Sequence, residues 1–119
     1  MTTERIETLR QFVADDPTDG LTRFMLGKEL LAVALSATPA GGAMEQLGEA
    51  VEHLSEAVRL SPDHTAGYRE LGNALAMAAR PDEAQAVYEK GLAVAESTGD
   101  LQTGKEIRVF LARLRRRTC

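Results

Sequence analysis

Two histidines, a run of glutamates and a lysine beside a glycine are the groups in this chain whose types could do chemistry. His53 and His64 are the only histidines, and their separation across a Pro62-containing turn does not give the spacing of a metal-ligand pair. Both are read as solvated side chains. Gly27-Lys28 lacks the preceding strand and further glycines of a phosphate loop, and Gly41-Gly42 opens no dinucleotide fingerprint. Glu45, Glu49, Glu52 and Glu56 recur every three or four residues, which makes one solvent-facing side of a helix rather than an acid and a base held in a cleft. Cys119, the single cysteine, allows no internal disulfide. The inventory therefore predicts a chain that is not an enzyme and holds no metal or cofactor.

The elements that carry these residues read as helices. Tyr68, Leu71, Gly72 and Leu75 stand at i, i+3, i+4 and i+7, and Ala84, Val87, Tyr88, Gly91 and Leu92 make a second stripe. Between them Ala79-Arg80-Pro81-Asp82 ends one helix and starts the next, because Pro81 has no N–H and fits only a first turn. The result is a tight antiparallel hairpin. One hairpin cannot bury enough apolar surface to offset its chain entropy, so further copies are required. Val51 to Gly72 aligns with Ile6 to Gly27 without a gap: Ile6 meets Val51, Leu9 meets Leu54, Val13 meets Val58, Pro17 meets Pro62, Leu26 meets Leu71 and Gly27 meets Gly72.

With these residues the chain resembles the tetratricopeptide repeat family, whose unit is a helical hairpin of about 34 residues. Tyr68, Leu71-Gly72 and Leu75 follow the family order of the first helix, and Ala84, Tyr88 and Gly91 that of the second. The preceding unit matches at Leu26-Gly27, Leu30, Ala50, Leu54, Ala57 and Pro62. Arg23 stands where the family has a bulky residue, and Glu96 where it has proline. Small residues in this pattern let helix backbones approach, and large ones fill the space that remains.

The resemblance implies an all-α fold, a right-handed superhelical stack of about six antiparallel helices. Helices are expected near 4–14, 21–37, 44–60, 64–79, 82–97 and 101–116, with Gly99 ending the fifth and Asp100 capping the sixth. They group into a single domain over 1–119: an N-terminal half-repeat at 3–15, a first repeat at 20–62 with a loop insertion at 38–45, a second repeat at 64–98, and a C-terminal capping helix at 100–117. Ile107, Phe110, Leu111 and Leu114 form the stripe that the sixth helix lays on the fifth.

Bulk properties agree with one modest helical core: 119 residues, 44% of them hydrophobic and 27% charged, with no Trp. No apolar run is long enough to span a bilayer, the first residues do not read as a signal peptide, and a cytoplasmic location is expected. From Leu101 onward Lys105, Arg108, Arg113, Arg115, Arg116 and Arg117 face one acidic residue, Glu106, for a charge of +5; the whole chain is −4, which leaves −9 on the first hundred residues. The one aromatic within this basic run, Phe110, belongs to the apolar stripe, so nucleic acid is not an expected partner, and pairing with acidic faces is.

The resemblance also implies where a partner would bind. In the family the first helix of each hairpin lines a concave groove that holds a peptide or partner helix. The corresponding positions are Leu21, Phe24, Lys28 and Leu31 on the second helix and Arg69, Asn73, Ala76 and Met77 on the fourth. Apolar and Met side chains would bury a partner's apolar groups, Lys28 and Arg69 would pair with carboxylates, and Asn73 would satisfy backbone amides. Some members clamp a terminal carboxylate, a pattern that Arg69 and Asn73 match in one helix only. Two alternatives stand beside this groove. Phe24, Leu31 and Met77 belong to the core, or the chain self-associates as a homodimer through the groove or the last helix.

Overall fold

The computed structural model describes residues 2–36 and 43–118. They form six helices and no strand: α1 (Thr2–Asp15), α2 (Gly20–Ser36), α3 (Ala43–Leu60), α4 (Thr65–Met77), α5 (Pro81–Thr98) and α6 (Leu101–Thr118). The all-α expectation is met. Most of the expected loop at 38–45 and all of Cys119 lie outside the described residues, whereas Ala43, Met44 and Glu45 already form the first turn of α3. The ends of α1 and α3, Asp15 and Leu60, and the starts of α2 and α4, Gly20 and Thr65, obey the same offset of 45 residues as the gapless sequence match.

The chain divides into two compact units, Met1–Ser61 and Pro62–Cys119. In the first, Ile6, Leu9 and Val13 of α1 are buried, and α2 and α3 supply Leu26, Leu30, Leu47, Ala50, Val51, Leu54 and Ala57. Each fully buried leucine contributes about 1.5–3 kcal/mol relative to exposure. Gly27 explains how closely α2 and α3 approach, since a Cβ placed on it would lie 2.5 Å from Leu54 Cγ. Asp19 starts α2: its Oδ1 accepts the Thr22 N–H at 3.2 Å and its Oδ2 accepts the Thr22 hydroxyl at 2.9 Å. Arg23 has a defined task despite departing from the repeat pattern. Its Nε donates to the Pro17 carbonyl at 3.1 Å, as the Tyr68 hydroxyl donates to the Pro62 carbonyl at 2.8 Å at the equivalent place in the second unit.

The second unit packs Tyr68, Leu71, Ala74 and Leu75 of α4 against Ala84, Tyr88 and Ala95 of α5 and Ile107, Leu111 and Leu114 of α6. A Cβ on Gly72 would collide with the Tyr88 ring, and one on Gly91 would meet Tyr68 Cβ at 2.7 Å. Pro81 opens α5 in the first turn, and Gly99 closes it in the left-handed conformation at φ 77°. Asp100 then caps α6 by accepting the Thr103 N–H at 3.1 Å, and its other oxygen accepts the Thr65 hydroxyl. One carboxylate thus ties the start of α6 to the start of α4. Ala79 takes the left-handed position after α4 at φ 60°, where glycine is the usual occupant.

Candidate functional site

Three of the eight groove positions present exposed groups. Leu21 is 59% exposed and Met77 37% exposed, and the Lys28 side chain is also exposed, without an ion-pair partner among the described residues. Phe24 and Leu31 lie beneath the surface of α2 at 8% and 3% exposure and act as packing. On α4 the Arg69 charge is engaged: Nη1 lies 2.6 Å from Glu106 and Nε 3.4 Å from Glu70. Asn73 accepts the Tyr88 hydroxyl at 2.5 Å through Oδ1, and Ala76 is half-buried. In the first unit the exposed members are thus Leu21 and Lys28. The second unit presents Met77 and the amide of Asn73.

The structure corrects the reading of both histidines as solvated. His53 is half-buried, with Nε2 at 3.5 Å from Glu49 and Nδ1 at 3.3 Å from Arg23 Nη1. Burial pushes its pKa below the usual histidine value, Glu49 acting in the opposite sense and Arg23 reinforcing the drop. His64, at the start of α4, is also half-buried, and burial lowers its pKa as well. Glu49 likewise leaves the solvent-facing glutamate row, because α1 presents Arg10 to it in a fork, Nε to Oε2 at 2.9 Å and Nη2 to Oε1 at 2.7 Å. That hydrogen-bonded pairing holds the Glu49 carboxyl below the ordinary range. The pair joins α1 to α3 and performs a structural task. Among the described residues no group of three His, Cys, Asp or Glu side chains could hold a metal ion, and no helix is long and apolar enough to cross a membrane.

One arrangement escapes the periodicity argument. Tyr88 is buried on α5, and its ring stacks with Phe110 of α6, centroids 6.3 Å apart and planes inclined by 20°. Arg113 lies over Phe110 with Cζ 5.9 Å from the ring centroid. Burial pushes the Tyr88 hydroxyl up to about 12, so it stays a protonated donor to Asn73. Phe110 meets α5 as its place in the stripe of α6 implies; what spacing alone does not give is that Tyr88 is its partner and that the same tyrosine reaches Asn73 of α4. Within the basic run Arg115 reaches Glu89 at 3.4 Å. A recess of about 70 Å³ lies along α5 and α6, lined by Leu92, Asp100, Leu101 and Arg108 among others. That is far below the roughly 300 Å³ that a small-molecule site needs.

Comparison with known proteins places this geometry. The tetratricopeptide repeat model matches residues 43–107. The TPR repeat-containing protein PA0015 of Pseudomonas aeruginosa is 38% identical over 111 residues, covering 93% of this chain and 95% of that protein. The solution structure of protein BPP2914 from Bordetella parapertussis is 34% identical, with a TM-score of 0.71 over 94% of this chain and 88% of its own. A crystal structure of MamA protein, 21% identical, superposes with a TM-score of 0.64 over 98% of this chain and 61% of its own, a likeness of fold. The chain belongs to the tetratricopeptide repeat family, whose members are generally non-enzymatic protein–protein interaction modules.

Proposed function

We propose that this chain binds a peptide or a segment of a partner protein on the first-helix faces of its hairpins, the surface that forms the concave groove in its family. The observation that carries the reading is the joint exposure of Leu21 and Lys28 on α2 and of Met77 on α4. On α2 an exposed apolar side chain and, two turns on, a cation without a carboxylate partner among the described residues suit a partner that brings both apolar and acidic groups. Phe24 and Leu31 support the α2 face from below, and on α4 Asn73 contributes a polar contact while Arg69 is held by Glu106 and Glu70.

Capture from a lysate of the source cell tests this, with wild type and a Lys28→Glu, Met77→Glu double variant side by side. Both substitutions fall on exposed side chains, so circular dichroism should show an intact fold. A protein retained by wild type and lost by the folded variant is the expected result. Equal recovery by both baits would remove these faces from the account.

A second reading, a homodimer, is favoured by the exposure of Leu101 and Val109 on α6. The stripe of Ile107, Leu111 and Leu114 is already covered within the chain, so a dimer would have to use this outer side. Light scattering showing a monomer at high concentration would exclude it.

A further inference from the structure

We propose that Asn73, Phe110, Arg113 and Arg117 form a docking site in the second unit for an acidic peptide segment. This deepens the partner-binding reading above and rests on it. The site's foundation is Tyr88, whose hydroxyl donates to Asn73 Oδ1 at 2.5 Å while its ring stacks on Phe110 at 6.3 Å. One buried side chain from α5 thereby fixes a residue of α4 and a residue of α6. Because Tyr88 occupies the Asn73 carbonyl oxygen, the free capacity of that amide is its two N–H donors. Asn73 makes no other hydrogen bond among the described residues.

Charge is supplied from α6. The Arg113 guanidinium carbon lies 5.9 Å from the Phe110 ring centroid, and Arg117 follows it one turn on along α6. Both are exposed, and neither guanidinium pairs with a carboxylate among the described residues. Arg69, the cation expected from the sequence, is instead engaged by Glu106 and Glu70. Available donors are thus one amide and two guanidinium forks, a set that carboxylates satisfy. Met77, one turn beyond Asn73 on α4, offers an apolar contact for a neighbouring side chain of the same segment. A nucleic acid fits less well. Phe110 already stacks with Tyr88 and carries Arg113 over its ring, so a base would have to displace one of them before stacking there.

The test uses a fluorescein-labelled peptide alternating Glu and Leu, a Gln and Leu peptide of equal length, and oligothymidylate, read by anisotropy and by side-chain amide and guanidinium NMR signals. The Glu–Leu peptide should shift the Asn73 amide and the Arg113 signal, and an Arg113→Glu, Arg117→Glu variant should weaken it by roughly tenfold or more. Tyr88→Phe keeps the ring and removes the hydroxyl. In that folded variant the Asn73 amide signal should move and affinity should fall by a smaller factor, showing Tyr88 to be a positioning residue. Equal binding of the Gln–Leu peptide, unchanged affinity in the charge-reversed variant, or displacement of the peptide by oligothymidylate would each overturn the proposal. Shifts confined to Leu21 and Lys28 would overturn this site while leaving the first-helix reading intact. That reading has its own failure, equal lysate capture by wild type and the Lys28→Glu, Met77→Glu variant, in which the synthetic peptide plays no part.

Discussion

Gly72 and Gly48 are both helical glycines, yet they should respond oppositely to the same methyl group. A Cβ on Gly72 would strike the Tyr88 ring, whereas one on Gly48 would meet nothing within 4 Å. Gly72→Ala should therefore destabilise by about 1–3 kcal/mol through overpacking. Gly48→Ala should stabilise by about 0.5–1 kcal/mol through backbone entropy. Urea denaturation of the two variants checks the pair, and equal effects would contradict the packing described here. His53 gives a prediction in pH. Burial lowers its folded-state pKa below the unfolded value near 6.5, so its contribution is fully present above about pH 6.5 and is lost as pH falls toward the folded pKa. The melting temperature should fall between pH 7 and about pH 5, and His53→Gln should flatten that fall in part. His64 shifts in the same direction and should account for a share of what remains. Neither histidine environment was legible beforehand. Periodicity places His53 on a charged face, but only the arrival of Arg10 on Glu49 and of Arg23 from α2 makes that face half-buried.

Helix ends were legible where a side chain has one local job. Pro81, Gly99 and Asp100 each do what their chemistry dictates, respectively starting α5, ending it and capping α6. The second task of Asp100 was not legible, because Thr65 is distant in sequence and reaches it only once α4 and α6 are packed. Asp100→Ala should lower the urea midpoint by removing the cap. Asp100→Asn should lose less, since asparagine still caps. The hydrogen bonds from Thr65 and Thr103 hold the Asp100 carboxyl below its ordinary value near 3.8. Its contribution is therefore complete above that pH and is lost as pH falls through the folded pKa. Melts of the two proteins at stepwise lower pH, from neutral to well below 3.8, should show the wild type converging on Asp100→Ala as the carboxylate is protonated. A gap of unchanged size at low pH would contradict the assignment.

For the molecule as a whole, the repeat offset of 45 residues carried the fold: it set the helix ends, the paired turns at Pro17 and Pro62, and the small residues at Gly27 and Gly72. It could not sort the first-helix faces into exposed and covered positions. Leu21 and Leu31 are the same residue type on one helix, yet the first is 59% and the second 3% exposed, a difference made by neighbouring helices. Composition likewise marked the basic C-terminal region without showing that Arg113 lies over Phe110 of the Tyr88 and Phe110 pair. The central claim is that a partner segment contacts the first helices of the hairpins. Its most direct test is site-specific photocrosslinking in the source cell, with a benzophenone amino acid placed in turn at Leu21, Met77 and Ala86, the last being an exposed residue of the second helix α5. The account predicts that Leu21 and Met77 crosslink to the same partner and that Ala86 does not. Crosslinking from Ala86 with none from Leu21 or Met77 would contradict it.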